Sequence, residues 1–273
     1  GGTHQLVLGT TAGLLQGPVG GPYVLSSLAE EIMGIQSNGI GTVAWSKHQI
    51  WKLDQDVPVL IPDPPFNPTA AILAPEGVYA GSGEGMVWFW DGSWHSCGTI
   101  PPDQSQGASR FPEIRSLGSN EGKLWALPAW GGPFLSEDHC QSFMDRRSPM
   151  TPTYMGEGGA SSAEEGISGF QAGERLIVGG WNGVAAGDST GETWQHGWLL
   201  GSGYTRGIGF ATDWPANPFL YLGSLGAGVL RTLEDGLHPE PGVGLVDTNT
   251  QGVFPTSNPD VMYAVVGHLP QKS

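Results

Sequence analysis

Histidine and cysteine are the residues whose types and spacing most directly suggest chemistry in this chain. Seven histidines recur along it, and Cys97 and Cys140 follow two of them, His95 and His139, by two residues and by one. Such side chains bind zinc when four of them meet at about 2 Å from one ion. If the recurrence reflects a structural repeat, the equivalent side chains belong to different repeat units and lie too far apart to bind one ion. We therefore expect repeated turns, with no metal and no cofactor.

Cys97 and Cys140 are also candidates for a disulfide. Two cysteines are too few for a disulfide framework, and their separation does not match a zinc knuckle. Disulfides persist in secreted proteins, and this one would join two consecutive units of the chain. Two free buried thiols are the competing interpretation.

Paired carboxylates would indicate a glycosidase, which uses one as acid and the other as base or nucleophile. Asp54 with Asp56 and Glu164 with Glu165 are close in sequence, but solvated loop acids explain them better. The chain has neither a Gly-rich phosphate loop leading into a helix nor a nucleophile elbow. We therefore assign no catalytic residue and favour a protein that is not an enzyme.

The charge balance limits the classes of partner. The 273 residues carry a formal charge of −15, with 14% charged and 38% hydrophobic residues. Nucleic acids and anionic membrane surfaces both require clusters of Lys and Arg, so neither is expected as a partner. No apolar run approaches the ~20 residues of a membrane span. The acidic, Lys-poor and turn-rich composition favours a secreted or periplasmic protein.

The elements that must position these residues follow a repeat. Seven short apolar segments recur at first-residue spacings of 36, 36, 45, 53, 44 and 42: Leu6–Gly9, Thr42–Trp45, Val78–Gly81, Lys123–Ala126, Leu176–Gly179, Leu220–Gly223 and Met262–Val265. Most are followed by a glycine and a second apolar stretch, which predicts a hairpin. Polar turns before them predict a preceding strand. Four antiparallel strands repeated every 40–45 residues or so are typical of a β-propeller blade.

The repeat predicts an all-β fold, a β-propeller of six to seven four-stranded blades, formed as one domain by residues 1–273. The seventh unit ends near residue 269 without its outer strands. Either the two termini share one of six blades, or a seventh blade is incomplete.

The polar turn at 187–194, Gly-Asp-Ser-Thr-Gly-Glu-Thr-Trp, resembles the turn of the sialidase-type BNR/Asp-box propeller repeat, roughly Ser-x-Asp-x-Gly-x-Thr-Trp. It keeps the Gly, Thr and Trp but departs at the Ser and Asp positions, with Asp188 one residue early. The resemblance implies a structural role: the Asp188 carboxylate caps the turn, and Trp194 packs between blades. The structural turn residues are therefore Asp188, Gly191, Thr193 and Trp194.

The segment 144–171 accounts for the longest spacing, and we interpret it as a long inserted loop. It opens with Arg146-Arg147, the one adjacent basic pair, and continues with a Gly/Ser/Glu-rich stretch. Long loops on a rigid scaffold commonly carry specificity, although a solvated insertion without a partner would look the same. The candidate ligand- or partner-binding residues are Arg146, Arg147, Tyr154, Trp130 and Trp181.

The sequence thus predicts a non-enzymatic extracytoplasmic propeller that binds a protein partner or glycan on one face of its ring. Two alternatives stay open: a glycan-active hydrolase or lyase, and a structural subunit of a larger assembly.

Overall fold

The structure is a computed structural model that describes residues 5–10, 12–18, 24–25, 28, 30–38, 40–53, 58–101, 113–120, 122–128, 133–146, 166–172, 175–180, 183–198, 204–210, 219–225, 228–233, 240–241, 250–255 and 262–266. Over these residues the chain is all-β and contains no helix, as the repeat predicts. It follows that no described helix could cross a membrane.

The strands form seven antiparallel sheets, each made from consecutive strands of the chain. Sheet 1 contains β1 (Gln5–Thr10), β2 (Gly13–Pro18) and β3 (Val24–Leu25). Sheet 2 contains β4 (Gly34–Ser37), β5 (Thr42–Trp45), β6 (Ile50–Lys52) and β7 (Val59–Ile61). Sheet 3 contains β8 (Pro68–Ala74), β9 (Gly77–Ser82), β10 (Met86–Trp90) and β11 (Trp94–Thr99).

The remaining sheets repeat this order. Sheet 4 contains β12 (Ile114–Asn120), β13 (Lys123–Pro128), β14 (Phe134–Ser136) and β15 (Met144–Asp145). Sheet 5 contains β16 (Gly166–Ala172), β17 (Arg175–Gly180), β18 (Gly183–Asp188) and β19 (Trp194–Trp198). Sheet 6 contains β20 (Tyr204–Phe210), β21 (Phe219–Leu225), β22 (Gly228–Leu233) and β23 (Glu240–Pro241), and sheet 7 contains β24 (Thr250–Pro255) and β25 (Met262–Val266).

All seven recurring apolar segments are strands, which confirms the repeat as a structural unit. In sheets 2 to 7 the segment forms the second strand, flanked by the first strand of its own sheet. The first strands of sheets 3 to 7 also share an irregularity near their start, where the pairing register shifts. A bulge bends a strand and increases its twist, so these strands begin with the same local distortion.

The core lies between successive sheets. Buried residues of sheets 1 and 2 pack together, and the same holds for sheets 2 and 3, 3 and 4, and 4 and 5. In β8 nearly every residue is buried, because both of its faces are covered by neighbouring sheets. Such strands are near-continuous apolar runs rather than alternating ones. The first strands of sheets 2 to 7 contact one another in chain order.

The predicted insertion overlaps a strand at each end. Its range of 144–171 begins in β15 and ends in β16, so residues 146–165 connect the two strands. Of these, 147–165 lie outside the described residues. Strand β16 was missed because its first half, Gly166-Ile-Ser-Gly, lacks apolar alternation and contains the register shift between Gly166 and Ser168.

Candidate functional site

A groove of about 680 Å³ lies between sheets 2 and 3. Three connections build it: the β5–β6 turn at 46–49, the β7–β8 connection at 62–67, and the β9–β10 turn with the start of β10, at 82–88. Consecutive sheets have the same topology. The turn between the second and third strands of each sheet therefore lies at the same end of the strands as the connection from one sheet to the next. The groove is therefore a product of the repeat itself.

Serine hydroxyls shape both hairpin turns of the groove. Ser46 Oγ accepts hydrogen bonds from the backbone N–H of His48 at 3.2 Å and of Gln49 at 3.1 Å. Ser82 Oγ accepts them from the N–H of Glu84 at 3.3 Å and of Met86 at 3.2 Å. A serine that satisfies turn N–H groups in this way stabilises the turn without a helix or strand partner. The walls of the groove are thus fixed locally.

The 62–67 connection is held by aromatic side chains of sheet 3. Trp94 Nε1 donates to the carbonyl oxygen of Pro62 at 2.7 Å. The Phe66 ring stacks on Trp88 at 5.1 Å between centroids and meets Trp94 edge-on at 5.4 Å. Aromatic pairs in these geometries contribute about 0.5–1.5 kcal/mol each beyond their buried area. An aromatic surface thereby becomes part of the groove lining.

A hydrogen bond between side chains links the two sides of the groove. His48 Nδ1 donates to Asn67 Oδ1 at 3.1 Å, which connects the 46–49 turn to the end of the 62–67 connection. Both side chains line the groove. The imidazole Nε2 and the Asn67 amide nitrogen keep their hydrogen-bonding capacity for other partners.

The rim of the groove is acidic. Asp63 and Glu84 are exposed lining residues and form no ion pair with any described residue. The described lining residues include no lysine or arginine; Lys47 is exposed in the 46–49 turn but does not line the groove. Trp88 contributes its ring to the lining, while its indole Nε1 is buried and has no hydrogen-bond partner among the described residues. The groove offers carboxylate and amide groups beside aromatic rings, a set suited to binding.

Between β18 and β19 the Asp188 carboxylate closes the turn that resembles an Asp-box. It accepts hydrogen bonds from the backbone N–H of Thr190 at 2.8 Å and of Thr193 at 3.1 Å, and from both threonine hydroxyls. Partial burial raises the pKa of Asp188, but these hydrogen bonds outweigh it and hold the pKa well below its usual range. The carboxylate therefore serves the turn.

Trp194 follows this turn and lies between sheets 4 and 5. It is 8% exposed and belongs to a buried cluster with residues of both sheets, among them Trp125 and Leu176. Its Nε1 donates to the Gly191 carbonyl oxygen at 2.9 Å. Gly191 has a φ of 66°, and a Cβ there would come within 2.6 Å of the Trp125 ring. Only glycine fits both constraints.

A second aspartate turn occupies the equivalent position in sheet 4. Asp138 accepts hydrogen bonds from Ser136 Oγ at 2.8 Å, from Ser142 N–H at 3.0 Å and from Ser142 Oγ at 2.5 Å. The bonds from Ser142, followed by that from Ser136, lower the pKa of Asp138 to about 2. Both aspartates are therefore ionised turn residues between the third and fourth strands of their sheets.

Cys97 and Cys140 form a disulfide, with Cα atoms 5.1 Å apart. It connects β11 of sheet 3 to the Asp138 turn of sheet 4. The Gly98 N–H also donates to the Cys140 carbonyl oxygen at 2.6 Å. The bond thus joins the outer parts of two consecutive sheets. Within the described part of the chain, no three His, Cys, Asp or Glu side chains are grouped closely enough to hold a metal ion.

Of the ligand-binding residues predicted from the sequence, the structure describes only Arg146. Its side chain is 19% exposed, and its Nη1 lies 4.0 Å from Glu192 Oε1 of the turn in sheet 5. This arginine packs against the neighbouring sheet rather than extending into solvent. The other four candidates, Arg147, Tyr154, Trp130 and Trp181, lie outside the described residues.

The sequence does not predict the groove. His48 is one of the seven histidines, and Trp88 lies in the apolar stretch that follows one of the recurring segments, but no pattern links the two residues. A usable signal is Phe66-Asn67-Pro68, an aromatic residue directly before an Asn-Pro turn that begins a first strand.

Comparison with known proteins shows the class of fold. No family model and no curated protein matches the chain. Solved structures match along nearly its whole length, and the ones described below have TM-scores of 0.63 to 0.70. Together with the repeated antiparallel sheets, they define a β-propeller-like fold.

Three of these structures illustrate the likeness. The extracellular domain of BT4673 from B. thetaiotaomicron matches with a TM-score of 0.70 and 10% identity, over 96% of this chain and 36% of that one. YCF48 bound to D1 peptide matches with a TM-score of 0.65 and 14% identity, over 96% and 87%. The computationally designed protein Ika8 matches with a TM-score of 0.63 and 11% identity, over 97% and 79%.

Proposed function

We propose that this protein is a non-enzymatic β-propeller that binds a protein partner or a glycan in the groove between sheets 2 and 3. The observation that carries the proposal is the groove itself: about 680 Å³ of space, lined by aromatic rings and by the exposed polar side chains of Asp63, Asn67 and Glu84. Ligand sites in proteins combine these features. A loop-built site on a repeated scaffold is also how rigid folds acquire specificity.

The proposal includes a ring of six to seven blades of the BNR/Asp-box kind. The Asp188 and Asp138 turns support it, because their carboxylates cap backbone N–H groups at the same place in two consecutive sheets. Among the described residues, five sheets have four strands, whereas sheet 1 has three and sheet 7 has two. Six blades result if the two incomplete sheets combine, and seven if each forms its own.

We place the protein outside the cytoplasm. The Cys97–Cys140 disulfide supports this location, since such bonds persist in oxidising compartments. The structural neighbour BT4673 contributes an extracellular domain to the comparison, which fits the same location. YCF48, described as bound to a peptide, is an example of a similarly folded chain with a peptide ligand.

Gly83 offers a way to test the groove. It is an exposed lining residue of the β9–β10 turn, and the nearest atom that an added Cβ would meet is the Thr69 methyl, at 4.0 Å. Gly83→Ala is therefore expected to change the free energy of unfolding by less than about 1 kcal/mol. Gly83→Trp places a large side chain at the same position and should occupy the groove.

The test applies wild type, Gly83→Ala and Gly83→Trp to peptide and glycan arrays in parallel. We expect the ligands retained by wild type to be retained by Gly83→Ala and lost by Gly83→Trp. Equal retention by all three proteins would place the site elsewhere. The glycans are also assayed for cleavage, and turnover of any of them would replace the binding module with the hydrolase alternative.

One observation favours a structural subunit as the second candidate. The outermost strands of sheets 1 and 2 expose apolar pairs, Val24 with Leu25 and Val59 with Leu60, at 44% to 68% of their surface. Exposed apolar edge strands are common docking sites. Mass photometry of the native protein would show a defined assembly that Val59→Lys with Leu60→Lys disrupts.

A further inference from the structure

We infer that the groove between sheets 2 and 3 takes a basic peptide segment, with a Lys or Arg side chain seated between the Asp63 and Glu84 rim and the Phe66–Trp88 aromatic surface. The inference rests on the proposed function, since it names the ligand class of the same groove. It is carried by the charge of the groove and by its aromatic lining.

The charges of the groove favour a cation. Asp63 and Glu84 are exposed on its rim, and no described residue forms an ion pair with either. The whole chain carries a formal charge of −15, so the field around the groove attracts basic segments and repels acidic ones. An anionic ligand would meet two carboxylates with no lysine or arginine among the described lining residues. Complementary charge of this kind also raises the association rate.

The aromatic lining suits the same side chain. Trp88 and Phe66 both line the groove, and their rings are stacked with an interplanar angle of 11°. A guanidinium or ammonium group near an aromatic face gains cation–π energy, and its aliphatic stem packs on apolar surface. Such a contact already joins sheets 2 and 3, where Lys52 Nζ lies 5.1 Å from the centre of the Trp90 ring.

The backbone of a peptide can also pair with a polar group of the groove. The Asn67 side chain, held in place by His48, provides an amide that can pair with the peptide backbone.

Isothermal titration with defined peptides tests the ligand class. The probes are acetylated and amidated Gly/Ser nonapeptides that carry either two arginines or two glutamates, with cellohexaose as a neutral glycan. We expect the arginine peptide to bind at least about tenfold more tightly than the glutamate peptide, and to weaken when salt is raised from about 20 to about 300 mM.

Two matched variants separate the groove from general charge. Asp63→Asn with Glu84→Gln should reduce affinity for the arginine peptide about tenfold, because two exposed ion pairs are lost. The control is Glu76→Gln in the β8–β9 turn at the opposite end of sheet 3. It removes a charge but leaves an oxygen for the hydrogen bond that Tyr79 Oη donates to Glu76 at 2.8 Å. Its affinity should stay within about twofold of wild type.

The outcomes distinguish the ligand class from the proposed function. Equal affinity of the arginine and glutamate peptides, an unaffected double variant, or no peptide binding overturns the basic-peptide inference. Cellohexaose bound by Gly83→Ala but not by Gly83→Trp overturns it too, while the groove remains the binding site. An arginine peptide that Gly83→Trp binds like wild type contradicts both, because the groove is then not where it binds.

Discussion

Replacing Trp194 with alanine should be among the most destabilising substitutions in sheets 4 and 5. The side chain is 8% exposed and packs with Trp125 and Leu127 of sheet 4 and with Leu176 and Val178 of sheet 5. Truncation of a buried tryptophan costs about 3–5 kcal/mol, from lost apolar burial and from the cavity that remains. This cost is expected because the side chain fills the space between two sheets.

The lost hydrogen bond places the expected effect in the upper half of that range. Trp194 Nε1 donates to the Gly191 carbonyl oxygen, and a bond of this kind contributes about 1 kcal/mol net. We therefore expect a loss of about 4–5 kcal/mol, equivalent to a decrease in Tm on the order of 10 °C for a chain of this size.

Urea and thermal unfolding, followed by tryptophan fluorescence and circular dichroism, measure the effect. Trp194→Phe keeps an aromatic ring but removes the donor, so its loss should be clearly smaller. Gln195→Ala changes the exposed neighbouring side chain and should cost less than about 0.5 kcal/mol. A loss below about 1 kcal/mol for Trp194→Ala would refute the packing of this residue between the sheets.

Three further predictions follow from the turns, the disulfide and the insertion. Asp138 and Asp188 have lower pKa values in the folded protein than in the unfolded chain. They therefore stabilise the folded state fully above the unfolded pKa of about 4, and this stabilisation is lost as the pH falls, through about 2 for Asp138. Calorimetry between pH 7 and 2 should show a smaller stability loss on acidification when both are replaced by asparagine, and an unchanged slope would contradict their role. Thiol titration of the denatured, unreduced protein should find neither Cys97 nor Cys140 free, and two reactive thiols per chain would contradict the disulfide. Reducing the disulfide should lower the free energy of unfolding by up to about 4 kcal/mol, given the sequence separation of 43 residues. Replacing 147–165 by a Gly-Ser linker should leave Tm nearly unchanged because loop length has a small entropic cost, whereas a decrease of more than about 5 °C would mean that the segment is part of the fold.

The strands were predictable because their signal is local. Val78–Gly81 and its counterparts are apolar runs between turn residues, and the burial of both faces produces that pattern wherever sheets stack. The aspartate turn of sheet 5 was equally readable, since residues five positions apart supply both its acceptor, Asp188, and its last donor, Thr193. Short-range hydrogen bonds leave a compact sequence pattern, even when the acidic residue stands one place early.

The groove could not be predicted in the same way. Its three parts, 46–49, 62–67 and 82–88, belong to two sheets and meet only because those sheets pack side by side. Taken singly, these residues are typical of turns and do not indicate a site. Phe66 becomes a lining residue only through its contacts with Trp88 and Trp94. The low exposure of the Arg146 side chain, 19%, is likewise not readable from the sequence, because it depends on packing between sheets.

Amide hydrogen exchange with and without the ligand selected on the arrays tests the central claim most directly. The account predicts that binding slows exchange in 46–49, 62–67 and 82–88, with little change in the Asp188 turn. Protection confined to 147–165, the insertion that the sequence suggested, or to the outer strands would contradict a binding site in the groove.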